Sequence, residues 1–258
     1  MKFSHILPFG LLALATGAYA DNATPAPPPN GWSGQGQLGY VMARGNTDSD
    51  SANGKFGLKY IDDAWTHTLA VEGLYGRSGD ITTAQRIAAV LQSNYAINPR
   101  AFAFGTLNYE DDRFSGFQYQ ASAAVGLGYK LLDTASDKLA VQAGVGYREL
   151  RPETLVLNSA GGIVSSTPGE SSSDFIGTGG LDYAHIFSAS TQLTEKFTII
   201  GGSDNTAIHN DLGLQVKMSK ALALSVGYSI IDNTKPPAGL KKVDTLSTVN
   251  LVYAFGAT

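Results

Sequence analysis

The sequence predicts an all-β protein: a single antiparallel transmembrane β-barrel of twelve strands, following a cleaved signal peptide. Three observations carry that prediction. From Trp32 onward, short segments alternate apolar and polar residues with period two, the pattern of a strand with two unlike faces. The connections between segments alternate short and long, the layout of bacterial barrels. Aromatic residues also gather at both ends of the segments, on the apolar face.

The first twenty residues read as a secretory signal (1–20). Lys2 supplies a positive start, Ile6 to Ala18 an apolar stretch, and Ala18-Tyr19-Ala20 a small-x-small cleavage site before Asp21. The stretch is too short to span a bilayer, and Pro8 and Gly10 interrupt it. No cysteine follows the cleavage site, so a lipoprotein anchor is excluded. The chain contains none at all, which also excludes a disulfide framework, a thiolate metal site and a cysteine nucleophile. Residues 21–31 (DNATPAPPPNG) carry four prolines and form no core. They read as an extended periplasmic lead-in.

Charged residues are 16% of the chain, against about 25% in ordinary soluble domains. Yet no run of 18 apolar residues follows the signal, so helical spans are excluded. A barrel reconciles the two, because each strand shows lipid only every second residue. Cleavage removes Lys2 and leaves 17 basic against 22 acidic residues. With no basic stripe, nucleic acid is not an expected partner.

Twelve segments follow, in order: 32–43, 51–61, 65–77, 84–97, 101–110, 117–131, 138–151, 173–187, 192–202, 206–218, 222–231 and 244–255. The sixth is the clearest. Phe117, Tyr119, Ala121, Ala123, Val125, Leu127, Tyr129 and Leu131 share one face; Gln118, Gln120, Ser122, Ala124, Gly126, Gly128 and Lys130 share the other. The seventh repeats it, with Leu139, Val141, Ala143, Val145 and Tyr147 against Gln142, Gly144, Gly146 and Arg148. The fifth (AFAFGTLNY) and ninth (TQLTEKFTII) leave their phase open. Short turns are expected at Asp62-Asp63, Asn98-Pro99-Arg100, Asp133 to Asp137, Ser188 to Ser190 and Ser219-Lys220. Loops are expected at GNTDSD, SGDITT, DDRFSG, SDNT, DNTKPPAGLKK and the 152–172 segment. That last segment, rich in Gly, Ser and Pro, reads as a surface loop or hairpin.

Trp65 and Tyr75 bracket the third segment, and Tyr119 and Tyr129 the sixth, each pair ten residues apart. At ~3.3 Å per residue and a tilt near 40°, ten residues cover ~25 Å along the membrane normal, the height of an apolar band between two aromatic girdles. Tyr60, Trp65, Tyr95, Tyr129, Phe187 and Tyr253 fall at the short-turn end. Tyr40, Tyr75, Tyr109, Tyr119, Tyr147 and Tyr228 fall at the loop end. A soluble sandwich has no need of aromatics sorted by strand end.

By the same phase Lys55, Lys59, Glu72, Arg86, Lys130, Arg148, Asp182, Asp211 and Lys217 line the lumen. Mixed charge there has two readings, a salt-bridged filled interior or a polar channel whose charges set selectivity. Twelve strands lie between filled and open barrels. The rival is a lipid hydrolase on the outer surface, which needs a serine beside an oriented histidine. His185 and Ser188 stand at His-x-x-Ser spacing, on opposite strand faces, and no H-x-S arrangement occurs. His67 reads as interfacial and His209 as inward. The four histidines are too scattered for a transition-metal site. Glu110-Asp111-Asp112 could hold a hard cation, but such a run is more often solvated or a counterion for Arg113. No catalytic residue, metal site or cofactor is expected.

Several of these segments together resemble the salt-induced outer-membrane protein family (domain of unknown function 481) over roughly 32–256. The resemblance rests on Gly45-Asn46-Thr47-Asp48 and Glu110-Asp111-Asp112-Arg113-Phe114-Ser115-Gly116. It continues through Gly126-Leu127-Gly128-Tyr129 with Leu132-Asp133-Thr134, Gly144-Val145-Gly146-Tyr147-Arg148, and Asp244-Thr245. It implies an outer-membrane barrel and, by the family's name, a link to salt stress; it brings no catalytic residues. Such barrels commonly end on an aromatic, whereas here Phe255 is followed by Gly256-Ala257-Thr258. The expectation is a narrow passive channel for ions or small solutes, in the outer membrane with both termini periplasmic. Its partners are outer-membrane lipids and, during biogenesis, the barrel assembly machinery. A non-conducting envelope barrel and the lipid hydrolase are the alternatives.

Overall fold

The computed structural model describes residues 30–43, 49–159, 162–203, 205–236 and 242–256. The signal segment, most of the Pro-rich lead-in, most of the GNTDSD loop and the middle of the DNTKPPAGLKK loop lie outside the described residues.

The strands are β1 Gly31–Ala43, β2 Ser49–Asp62, β3 Trp65–Ser78, β4 Ile81–Ala96, β5 Ala101–Asp112, β6 Phe117–Asp133 and β7 Asp137–Leu157. They continue with β8 Ile163–Pro168, β9 Ser172–Ile186, β10 Thr191–Gly201, β11 Thr206–Lys217, β12 Leu222–Asn233 and β13 Val243–Gly256. Each except β8 pairs antiparallel with the next strand of the wall, β7 with β9, and β1 pairs with β13 through Ser33↔Gly256 to Leu38↔Leu251. The wall therefore closes on twelve strands. Closure leaves no edge and satisfies every ladder within the protein, as a bilayer requires.

β8 is the thirteenth strand and lies outside the wall. It pairs only with the far end of β7, Glu153–Leu157 against Ile163–Pro168, so the 152–172 segment is a hairpin that prolongs β7. Most boundaries differ from the sequence pattern by one or two residues, and β7 runs six residues further. β4 begins at Ile81, and the β3–β4 connection is the two-residue turn Gly79-Asp80 with Gly79 at φ 57°. β1 begins at Gly31, inside the expected lead-in, and Asn30 Nδ2 donates to Asp63 Oδ1 across the first short turn.

Period two sets the faces. On β6, Val125 (63% exposed) and Leu127 (64%) point out while Ala124 (5%) points in. Phe117 departs from that pattern. A register shift between Phe117 and Tyr119 turns its ring out of phase, and it is buried rather than lipid-facing. β5 settles its open phase with even positions inward, so Phe102 and Phe104 lie inside, both buried. Their rings occupy the space over Gly128 and over Gly126 and Gly144. Gln92 Nε2 of β4 donates to Gln142 Oε1 of β7 at 3.2 Å, reaching past β5 and β6. One side of the interior is thus thickened by an aromatic layer seated on glycines.

Candidate functional site

The interior is built by the inward residue of each pair. Lys55 pairs with Glu72 (3.2 Å), Arg86 with both Glu72 and Glu110 (3.1 Å for the latter), so β2 to β5 share one ionic chain. Glu110 therefore has Arg86 as its counterion, not Arg113, whose backbone N–H donates to Gln85 O. Asp111 points outward between two inward neighbours, so the acidic run does not converge. No group of three metal-ligating side chains occurs among the described residues. Across the barrel, Lys196 is flanked in register by Asp182 and Asp211, and Ser229 donates to Asp211. Lys196 was concealed by the open phase of its segment, and the strong alternation of β11 and β12 reveals it only through register.

Arg148 is placed differently. With Asp174 it forms a pair whose side chains are 3% and 6% exposed. Arg148 Nε and Nη2 donate to the two carboxylate oxygens, and Nη2 also to Asn205 O at 2.9 Å. Asn205 Nδ2 donates to Asn233 Oδ1 at 2.8 Å. This latch draws the β10–β11 connection onto the wall at the loop end. Arg148 is thereby a buried anchor, not an open lumen surface.

The remaining charges sort by end. Lys59, Lys130, Lys138 and Lys217 face inward at the short-turn end, where Lys59 lies within electrostatic reach of Lys130 and Lys138. Lys130 pairs with Asp133 at 3.6 Å. Among the described residues, none of Lys59, Lys138 and Lys217 is in an ion pair. At the loop end the inward carboxylates Glu110, Asp112, Asp174 and Asp244 outnumber Arg86 and Arg148.

The outer surface carries the aromatic rows. At the turn end Trp32 touches Tyr60 (centroids 4.5 Å) and Trp65 touches Tyr95 (5.0 Å); Tyr129, Phe187 and Tyr253 are exposed there. At the loop end Tyr109 stacks with Tyr119 (6.4 Å) and Tyr147 meets Phe175 (5.7 Å), with Tyr40, Tyr75 and Tyr228 exposed. Phe255 pairs with Gly34 and stacks on Phe56, so the last aromatic is held in the wall although the chain continues past it.

Two histidine contacts bear on hydrolysis. His185 Nδ1 bonds Asp137 Oδ1 at 2.7 Å, not Ser188. His67 Nδ1 and Ser93 Oγ, cross-strand partners on the outer face, are joined by a 2.8 Å hydrogen bond. Spacing along the chain could not reveal that pair, because the two residues meet only through the β3–β4 register. His67 stacks beside Trp65 and Tyr60, and no carboxylate orients its ring among the described contacts, so the third group of a hydrolytic triad is missing.

The chain belongs to a family. Residues 36–255 match the model described as protein of unknown function, DUF481. No curated protein matches the sequence. Among solved structures, the fold is similar to the translocator domain of autotransporter NalP from Neisseria meningitidis, at 13% identity and a TM-score of 0.47, covering 87% of this chain and 88% of that one. It is also similar to the NanC porin (10%, TM-score 0.47, 88% and 100% covered). The KdgM porin gives 12% identity and a TM-score of 0.45, with 87% and 99% covered. Likeness at that level says nothing about what this barrel carries.

Proposed function

We propose that this member of the family resides in the outer membrane of a Gram-negative envelope, with both termini periplasmic after signal cleavage, and passes ions or small solutes passively under salt or osmotic stress. The outward apolar belt between two aromatic rows supports the membrane placement. The salt link comes from the resemblance alone. The observation that carries the channel reading is the sorted interior charge: among the described residues, Lys59, Lys138 and Lys217 at the turn end are in no ion pair, nor are Asp112 and Asp244 at the loop end. Charges that only held the wall together would neutralise one another locally; charges separated by end set up a field along a solvated path.

Planar-bilayer recording of the refolded barrel tests this. Discrete current steps are expected, larger at one polarity than the other, and replacing Lys59, Lys130 and Lys138 by Gln should reduce that asymmetry. A silent barrel at all salt concentrations overturns the channel and leaves a non-conducting envelope barrel, the reading that the Arg148 latch across the loop end favours. On either reading the protein is not an enzyme, and ester release from phospholipid by the refolded barrel would overturn that.

A further inference from the structure

Between the two aromatic rows, Glu195 on β10 is the one carboxylate at the described outward positions; the other ionisable groups there are the rings of His67, Tyr183 and His185. Its outward placement follows from register. Glu195 pairs with Tyr183 of β9 and Leu212 of β11, and Leu212 pairs with Tyr228 of β12. On β12 the even positions Leu222, Leu224, Val226 and Tyr228 are exposed while Ala223 and Ser225 are buried inward, and no register shift intervenes across β9 to β12. Leu181, Leu193, Phe197 and Leu214 complete an apolar surround. Its hydrogen-bond donor is Asn210, also outward, whose Nδ2 donates to Glu195 Oε1 at 3.0 Å.

An ionisable group facing hydrocarbon is disfavoured and is by default a sign of function. Here the bond to Asn210 leaves a second N–H and the carbonyl oxygen on Asn210, and the second oxygen on Glu195, without partners from lipid tails. The pair thus presents both a free donor and free acceptors. It is self-complementary: a two-fold axis along the membrane normal brings the same pair of a second copy to the same depth. The free Asn210 N–H of each copy then meets the second Glu195 oxygen of the other, the isologous pattern of a symmetric dimer. Gly177 and Gly179 lie outward on the adjoining strand, and no atom is within 4 Å of where a Cβ on Gly177 would stand. They stand six and four residues along β9 from Tyr183, on the same outer face, where small residues allow membrane-embedded surfaces to approach closely.

We propose that the outer face of β9 to β11, centred on Glu195 and Asn210, is where two copies of this chain associate within the membrane. This rests on the membrane placement proposed above but not on conduction. Because the chain lacks cysteine, single cysteines report contacts cleanly. Leu212→Cys, beside the pair, should cross-link to a species of twice the monomer mass when native membranes are oxidised. Val125→Cys, on a distant part of the wall, should not. Adding Glu195→Leu and Asn210→Leu to Leu212→Cys should lower the cross-linked fraction at least tenfold while heat-modifiable mobility shows the barrel still folded; Glu195→Gln should retain it. Equal cross-linking from both cysteine positions, none from Leu212→Cys, or a product whose mass fits a different protein overturns the proposal. If instead the protein fails to fractionate with washed outer membranes, it is the membrane placement that fails.

Discussion

Phe102 fills the space that a side chain on Gly128 would need: a Cβ built there falls 2.1 Å from Phe102 Cζ. The two are register partners on β5 and β6, so the inner wall is packed like a core at this point. Gly128→Ala should destabilise the barrel by about 1–3 kcal/mol, the usual cost of overpacking. Phe102→Leu should cost stability in the parent but much less in the Gly128→Ala background. Urea unfolding in lipid vesicles supplies the double-mutant cycle, and strict additivity would show that the ring and the glycine do not compete for one space.

That contact also shows where the sequence stops being legible. The strands, their order and the lipid-facing sides of β3, β4, β6 and β7 follow from period two, because lipid imposes one requirement on every second residue. The interior imposes no uniform requirement. Phe102 and Phe104 are as apolar as any lipid-facing residue, so the phase of β5 was open until Tyr95↔Ala103 and Asn94↔Phe104 fixed it. Glu195 and Lys196 are adjacent charges, and nothing local says which one faces hydrocarbon. His67 and Ser93 lie 26 positions apart and meet only through register.

The buried Arg148–Asp174 pair should behave as an all-or-none unit. Arg148→Ala or Asp174→Ala leaves a buried charge without its partner and should cost about 3–5 kcal/mol. Replacing both, as Arg148→Met with Asp174→Leu, should recover most of that loss. Arg148→Lys should not rescue, since one ammonium cannot reproduce the bidentate contact and the bond to Asn205 O. Equilibrium unfolding of the four variants decides it. If the double replacement is as damaging as the sum of the singles, the latch to Asn205 outweighs the ion pair.

Asp137 offers a pH handle outside the membrane-crossing part of the wall. It lies at the short turn, four residues beyond Val141, the partner of Tyr129. Hydrogen bonds from His185, Ser136 and Tyr183 hold its carboxyl down at about 2, against 3.8 for a free aspartate. A depressed folded value means the contribution is present above pH 3.8 and lost as pH falls through about 2. The side chain is half-buried at the rim of the wall and screened by solvent, so the effect should be small. Urea midpoints at pH 4 and pH 2 should differ more in the parent than in Asp137→Asn. Parallel shifts in the two proteins would show that these hydrogen bonds do not contribute.

The face assignment underlies the interior, the belt and the dimer surface, and one pair of substitutions tests it. Val125 is outward near mid-belt on β6, and Thr106 is inward on β5, paired with Ala124, the residue next to Val125. Arginine at 125 must enter hydrocarbon, costing about 2–4 kcal/mol near the midplane. Arginine at 106 enters the interior, where Thr106 is only partly buried, and the long side chain can reach water. Ala124 itself is a poor choice for the inward member, since it is 5% exposed and a large residue there would be penalised by crowding whichever way it faced. Gly126 fails for the same reason, lying beneath Phe104. Refolded in vesicles, Val125→Arg should unfold at clearly lower urea than Thr106→Arg. Should Thr106→Arg be the worse of the two, the interior at that depth is a closed core, and the path proposed for ions does not pass it.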